Sequence, residues 1–300
     1  MHKFIKQIKK RIITLIINKM KKTLTILTAL LLLAIMPAEA KITHLLPKPH
    51  EITKQQGSFA LGRPVTIKYN GVEACTLLEE FFASTGCTVG TDGAEITVTI
   101  VDKIEGAYDY ELSGFDNEAY TIAVRDESIN ITAVKPIGVI RAAQTLAQLA
   151  EGYEGTAAIE AVDIKDWAAF KLRGYMHDVG RSFISVPELK KHIELLSRFK
   201  VNCFHWHFTE NQAWRLQINA YPQLTSDASM TRFPGKYYTQ EQCREVATHA
   251  KKYGITIIPE IDMPGHSEAF VRAMGYDMQT DKGVAALKVI LDEVVALFPD

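Results

Sequence analysis

Cysteine is scarce in this chain, and what there is lacks metal-site spacing. The four thiols, Cys75, Cys87, Cys203 and Cys243, form no Cys-x-x-Cys element, which excludes a cysteine-built zinc module. An excess of basic charge is also missing: 34 Lys and Arg face 35 Asp and Glu, for a net charge of -1. With no general basic surface for a phosphate backbone, no nucleic-acid partner is expected. Nor is there a comfortable membrane span, because the apolar stretch over residues 24 to 36 is 13 residues long where about 20 are needed. What remains, 300 residues at 47% hydrophobic, is the composition of a globular protein with room for two domains.

The short apolar stretch has another reading. Lys21 and Lys22 precede it and Ala38-Glu39-Ala40 follows, the layout of a cleavable export signal over residues 1 to 40. Met20 opens a conventional signal by itself, so residues 1 to 19 read as an over-extended start or as a longer basic region. No cysteine lies near the cut, against a lipoprotein anchor. The expected location is therefore periplasmic or extracellular, without an integral membrane anchor; a retained signal anchor is the alternative. An exported compartment permits disulfides, and Cys75 with Cys87 is the one pair close enough in sequence to suggest a bridge. Cys203, in a predicted strand, and Cys243, on a predicted helix face, are expected as buried thiols.

Residues 41 to 165 read as a small α+β domain. Short β-rich runs occupy 65 to 69, 95 to 101, 119 to 125 and 128 to 133, with Tyr120, Ile122 and Val124 alternating. Helical spacing covers 73 to 84 and 137 to 150. Antiparallel strands with helices on one face are expected. His44 and His50 read as surface residues, and the Ala-rich stretch after Gly155 as the approach to the next domain.

From residue 166 the rhythm becomes strand, helix, strand, helix, strand, helix, the signature of a parallel sheet or barrel. The strands are expected at 171 to 177, 201 to 208 and 255 to 261. The first helix opens on a capping box, Ser185 with Glu188, and the second on Thr239 with Gln242, ending at Gly254. The third places Val284, Leu287, Leu291, Val294, Val295 and Phe298 on one face. An eight-fold (β/α)8 TIM barrel takes about 250 residues, so residues 166 to 300 are expected to hold its first three units. The remaining strands are expected beyond Asp300.

Chemistry concentrates at the ends of these strands. Alternation puts Arg173, Tyr175 and His177 on one face, and a buried Arg173 needs either a carboxylate, Asp178 or Glu260, or the hydroxyls of a ligand. His205 and His207 point to one side, as a metal pair or, better, as packed and hydrogen-bonded imidazoles. Glu210, Asn211 and Trp214 suit a polyhydroxylated ligand, polar groups fixing hydroxyls and an indole face taking the C–H side of a ring; a packed-down Trp214 is the plain alternative. Glu260, Asp262 and His266 form the sharpest constellation, since a histidine beside carboxylates can hold or tune another acid.

Together these motifs resemble the β-N-acetylhexosaminidases of glycoside hydrolase family 20. The matching runs are Arg173-Gly174-Tyr175-Met176-His177-Asp178 with Arg181, Asn202 to His207 followed by Glu210 to Arg215, and Pro259 to His266. The small domain resembles that family's N-terminal domain in Leu45-Leu46-Pro47-Lys48-Pro49 and Gln144-Thr145-Leu146. The resemblance implies retaining, substrate-assisted removal of a terminal β-linked N-acetylglucosamine or N-acetylgalactosamine from a glycan, without a cofactor or metal. It implies that Arg173 binds sugar hydroxyls with Glu210, Asn211 and Trp214 nearby, and that Glu260, Asp262 and His266 support the acid. Two departures stand out. Glu210-Asn211 replaces the Asp-Asp of many members, and the family's catalytic Asp-Glu pair belongs after Asp300, so the 300 residues by themselves are expected to be inactive. A metal-dependent barrel hydrolase and a non-catalytic glycan-binding protein are the alternatives.

Overall fold

The computed structural model describes residues 44–109, 112–151 and 157–299; the expected export signal lies outside them. Contacts group Ile42–Asp300 into a single unit. Its first half is a seven-stranded sheet of β1 (Glu51–Ala60), β2 (Pro64–Asn70), β3 (Thr88–Val89), β4 (Ala94–Ile100), β5 (Tyr120–Val124), β6 (Ser128–Ala133) and β7 (Ala158–Asp166). The order is β1-β7-β5-β6-β4-β2-β3. Helices α1 (Thr76–Ser84) and α2 (Pro136–Glu151) cover it, and Leu78, Phe82, Val139 and Leu146 share one core with Ile96, Ile122, Ile131 and Ile164.

Three expectations for this half need correction. The sheet is mixed rather than antiparallel, because β2, β4 and β6 run parallel through α-helical and loop crossovers. β1 and β7 are absent from the sequence reading. β1 is an edge strand with a register shift between Lys54 and Ser58 and only Phe59 buried, so it shows no apolar alternation. Finally, all four cysteines are free. The nine residues of α1 separate Cys75 from Cys87 by about 13 Å of helix, well beyond the Cα spacing of roughly 7 Å that a disulfide tolerates. Cys203 and Cys243 are buried as expected, and burial pushes the Cys243 thiol far up.

The second half is a barrel-like segment of three strand-helix units. β8 (Gly174–Asp178), β9 (Cys203–His207) and β10 (Thr256–Glu260) lie parallel in the order β10-β9-β8, interleaved with α3 (Val186–Arg198) and α4 (Gln240–Lys252) and followed by α5 (Glu268–Met274) and α6 (Asp281–Leu297). Both expected capping boxes form, Ser185 with Glu188 and Thr239 with Gln242. Gly254 takes φ 67° just past α4, the left-handed position that ends a helix cheaply only with glycine. Phe204, Trp206 and Phe208 pack outward on Leu189, Ile193 and Val246. The other face of β9 therefore carries Cys203, His205 and His207.

The register then sets which residues share that inner face. Met176, His205 and Ile258 lie side by side, as do Asp178, His207 and Glu260. Tyr175 and His177 turn instead toward the helix layer, meeting Phe204 and His192. The expected inward Arg173, Tyr175 and His177 are thus one residue out of phase, and a one-residue offset exchanges the two faces of a strand. α6 is rotated in the same way: Ala286, Leu287, Ile290, Val294 and Leu297 are buried while Val284, Leu291 and Val295 are exposed. A helix apolar on most sides gives periodicity little to choose by.

The two halves meet at the N-terminal ends of the barrel strands. Arg141 of α2, 1% exposed, donates to the Gly254 carbonyl (2.8 Å), Gln144 to the Tyr253 carbonyl (3.1 Å) and Gln148 to the Arg198 carbonyl (2.5 Å). Carbonyls at helix ends lack intrahelical partners; here α2 supplies them for α3 and α4. Glu118 pairs with Arg141 (2.8 Å) and with Arg173. Lys200 donates to Asp166 (2.7 Å) and to the Tyr120 hydroxyl (2.8 Å). Burial raises the Asp166 carboxyl, but the Lys200 charge and the hydrogen bonds from Lys200, His50 and Tyr120 outweigh it and hold the pKa below its ordinary value. His50 is exposed as expected, and it stacks on Trp167 at 3.8 Å and meets Asp166 at 3.0 Å.

Candidate active site at the strand ends

Asp178, His207 and Glu260 each close their strand, and the parallel register places them in one row. The loops that follow add Arg181, Glu210, Asp262 and His266. His207 Nδ1 lies 2.5 Å from Glu260 Oε2, and His205 Nε2 lies 2.7 Å from the same oxygen. A carboxylate only accepts, so both imidazoles present an N–H to Glu260. Arg181 reaches Asp178 Oδ2 (2.7 Å) and pairs with Glu210. His266 Nδ1 sits 2.6 Å from Asp262 Oδ2 and 3.4 Å from Glu210 Oε1. The Asp262 backbone N–H is held by Thr209 Oγ1 at 2.9 Å. Four carboxylates and three imidazoles thus gather around one guanidinium, which pairs with Asp178 and Glu210, while Glu260 and Asp262 are paired by the histidines.

Of the sequence-derived residues, Glu210, Glu260, Asp262 and His266 are brought together here. Arg173 is not. It precedes β8, and its guanidinium meets Glu118 and the carbonyls of Lys200 (2.6 Å) and Phe170 (2.6 Å), about 16 Å along the strand from Asp178 at roughly 3.3 Å per residue. Neither expected carboxylate partner, Asp178 or Glu260, is the one it uses. Burial lowers the Arg173 pKa although Glu118 opposes the shift. Trp214 is also absent from the site: it is 1% exposed, packs on Phe270 and donates to the Leu216 carbonyl (2.8 Å), so the packed-down alternative holds and no indole face is open to a ring. Asn211 lies at the rim, its backbone N–H on Glu210 Oε2 (2.8 Å) and its side-chain oxygen accepting from the Glu268 N–H (3.3 Å) at the start of α5.

Asp178, Arg181, His205 and His207 stand in the strand-end motifs of the sequence without a site role; here they join the cluster, the two histidines as the hydrogen-bonded imidazoles of the second reading. Their signal is positional, since the first three expected strands each end on or near a titratable residue and parallel pairing aligns strand ends. Arg215 next door has another task. Fully buried, it donates to the carbonyls of Val179, Gly180, Arg232, Phe233 and Lys236, which pins the loop after β9 beneath the cluster. Burial pushes its pKa down to about 10.

Two predictions follow from this geometry. A Cβ on Gly180 would lie 2.6 Å from the Glu210 Cβ, so Gly180→Ala is expected to cost about 1–3 kcal/mol, read as a lower urea midpoint. His266 has its pKa raised, first by the hydrogen bond to Asp262 and then by the Glu210 charge. A group bound more tightly to its proton in the native state contributes stability that is complete below its unfolded pKa of about 6.5. That contribution is lost as pH rises through the higher native value. The thermal midpoint of His266→Gln should therefore fall furthest below the wild type near pH 6 and approach it at alkaline pH.

Two family models match this chain in tandem: glycosyl hydrolase family 20, domain 2, over residues 43–167, and the catalytic domain of the same family over residues 170–298. The chain belongs to glycosyl hydrolase family 20. Among curated relatives of this family 20 chain, a β-hexosaminidase of Porphyromonas gingivalis is 34% identical over 260 residues, covering 79% of this chain and 32% of the relative. One from Vibrio furnissii is 32% identical, covering 79% and 40%. Among solved structures, the β-N-acetylhexosaminidase of Bacteroides fragilis superposes with a TM-score of 0.73 at 29% identity, covering 85% of this chain and 55% of that one. The chain therefore spans about a third of the curated relatives it matches. The expected fold class, a small α+β domain followed by part of a TIM barrel, agrees with these neighbours.

Proposed function

We propose that this family 20 protein is an exo-acting β-N-acetylhexosaminidase that removes terminal β-linked N-acetylglucosamine or N-acetylgalactosamine from glycans outside the cytoplasm. The observation that carries the reading is the row of Asp178, His207 and Glu260 with Glu210, Asp262 and His266 at the C-terminal ends of three parallel strands, where barrel enzymes place their chemistry. It is supported by a Vibrio harveyi exo-β-N-acetylglucosaminidase of the family, solved in complex with N-acetylglucosamine, with a TM-score of 0.72 at 28% identity and covering 88% of this chain and 46% of that one.

In the proposed reaction the substrate's own 2-acetamido oxygen attacks the anomeric carbon, an Asp orients the acetamido group and an adjacent Glu protonates the leaving oxygen. Among the described residues the Asp-Glu dipeptides are elsewhere: Asp126-Glu127 in the β5-β6 turn, and Asp292-Glu293 in α6, where Glu293 caps the N–H groups of Asn219 and Ala220 (2.8 Å each). The acid pair is accordingly proposed to lie outside residues 1–300, which by themselves do not turn over. Asp262, with its proton-sharing His266, then holds the field in which that acid stays protonated.

The test of the mechanism is a substrate series. In the active protein, replacing the N-acetyl group by mono-, di- and trifluoroacetyl lowers kcat/KM stepwise, because each fluorine withdraws electrons from the attacking oxygen. A flat series would exclude the acetamido group as nucleophile.

A further inference from the structure

Three side chains in the cluster each have one atom tied down and one left pointing at a common centre. Asp178 Oδ1 accepts from the Arg181 backbone N–H (2.9 Å), leaving Oδ2. Glu210 Oε2 accepts from the Asn211 N–H (2.8 Å), leaving Oε1. His207 Nδ1 is bound to Glu260 (2.5 Å), leaving Nε2. One ligand atom from each of Asp178, His207 and Glu210 falls within 4.8 Å of the others.

The Arg181 guanidinium meets two of these, Asp178 Oδ2 and Glu210 Oε1. It leaves the third unmet. His207 Nε2 is buried without a hydrogen-bond partner, its side chain 8% exposed and its nearest carboxylate oxygen, Glu210 Oε1, 3.8 Å away. With Nδ1 given to Glu260, Nε2 is the ring nitrogen left to serve as a ligand. An unpartnered nitrogen beside two carboxylate oxygens suits a cation; the planar fork of the guanidinium does not meet that nitrogen, and Glu210 Oε1, though ion-paired with Arg181, is itself without a hydrogen bond.

We infer that Asp178 Oδ2, His207 Nε2 and Glu210 Oε1 form a binding site for a divalent transition cation of the zinc class, for which Arg181 is the resident competitor. One imidazole nitrogen and two carboxylate oxygens are ligands that Zn2+ accepts, at about 2.0–2.2 Å, so a small inward adjustment closes the set. The outer shell is already built: Glu260 on the far nitrogen of His207 is the carboxylate–histidine pair that orients a metal-bound imidazole. Arg181, half-exposed at 47% of its side chain, can swing to solvent when displaced. The occupied site would have Arg181 off both carboxylates and a positive charge beside Asp262 and His266, a route for metal to regulate this end of the barrel. The inference rests on the cluster geometry alone and not on the hydrolase reading, so either can fail without the other.

The experiment is calorimetric titration of the metal-stripped 300-residue chain with ZnCl2 at neutral pH. The expected result is one strong Zn2+ per chain, with a Kd of about 10 μM or lower. Glu210→Gln and His207→Asn should each weaken binding at least tenfold, and Arg181→Gln should tighten it about tenfold by removing the competitor. Circular dichroism reports whether each variant is folded. Should the buried-site variants unfold, Arg181→Gln decides by itself, because a surface zinc site elsewhere would not respond to it. No binding by wild type and Arg181→Gln, or binding indifferent to all three substitutions, overturns the inference.

Discussion

Glu118→Ala lowers the thermal midpoint of this chain by roughly 10 °C. Glu118 is 7% exposed and lies between the guanidiniums of Arg141, 1% exposed, and Arg173. Deleting the carboxylate leaves two cations in a site from which water is largely excluded. Removing one partner of a buried ionic group costs about 3–5 kcal/mol, more than the pair itself contributes, because the survivor remains desolvated. At 2–4 °C per kcal/mol for a chain of about this size, the midpoint falls by roughly that 10 °C. Arg141 would still bond to the Gly254 carbonyl, so the effect should be read on both halves of the molecule. Circular dichroism at a β-sensitive and a helix-sensitive wavelength should show one shared transition moving down. A midpoint change under about 2 °C would mean that the network is solvated and that the small domain is only loosely docked.

Trp214→Ala produces a loss of similar size at the other end of the strands. The indole is 1% exposed, packs on Phe270 and has its N–H on the Leu216 carbonyl. Truncating a buried tryptophan costs about 3–5 kcal/mol through lost burial and the cavity left behind. An aromatic platform for a sugar would behave differently, losing ligand affinity with little change in stability. Urea denaturation of wild type and Trp214→Ala separates the two, and a large fall in midpoint is expected.

How much of this was legible beforehand differs by level. Helix starts were readable because capping is local: Ser185 with Glu188 and Thr239 with Gln242 announce themselves within four residues. The parallel rhythm after residue 166 was readable for the same reason, each strand being a short apolar run with a helix behind it. Faces were not. Arg173 suits a barrel interior by alternation, yet it lies before β8, Met176 and Asp178 take the inner face beside His205 and His207, and Glu118, 55 residues away in sequence, captures its side chain. No local pattern reports that. β1 was invisible because an edge strand with one buried residue carries no alternation. Trp214 was misassigned because an indole in a polar loop looks alike whether it faces a ligand or a core; Phe270, which covers it, belongs to a helix 56 residues on. The Glu260, Asp262 and His266 constellation was legible because its members are close in sequence, and the Pro264-Gly265 turn brings His266 back to 2.6 Å from Asp262. Its wider partners, Asp178 and His207, come from other strands, and only the register supplies them.

The most direct measurement of the central claim is the release of 4-nitrophenol from 4-nitrophenyl N-acetyl-β-glucosaminide by two proteins: the 300-residue chain, and the same chain carried on through whatever follows Asp300 in its gene. No turnover above background is expected from the first and enzymatic turnover from the second. Turnover by the 300 residues alone would contradict the placement of the acid pair. Silence from the extended protein, folded and tested with both N-acetylglucosaminide and N-acetylgalactosaminide, would contradict the hexosaminidase reading itself.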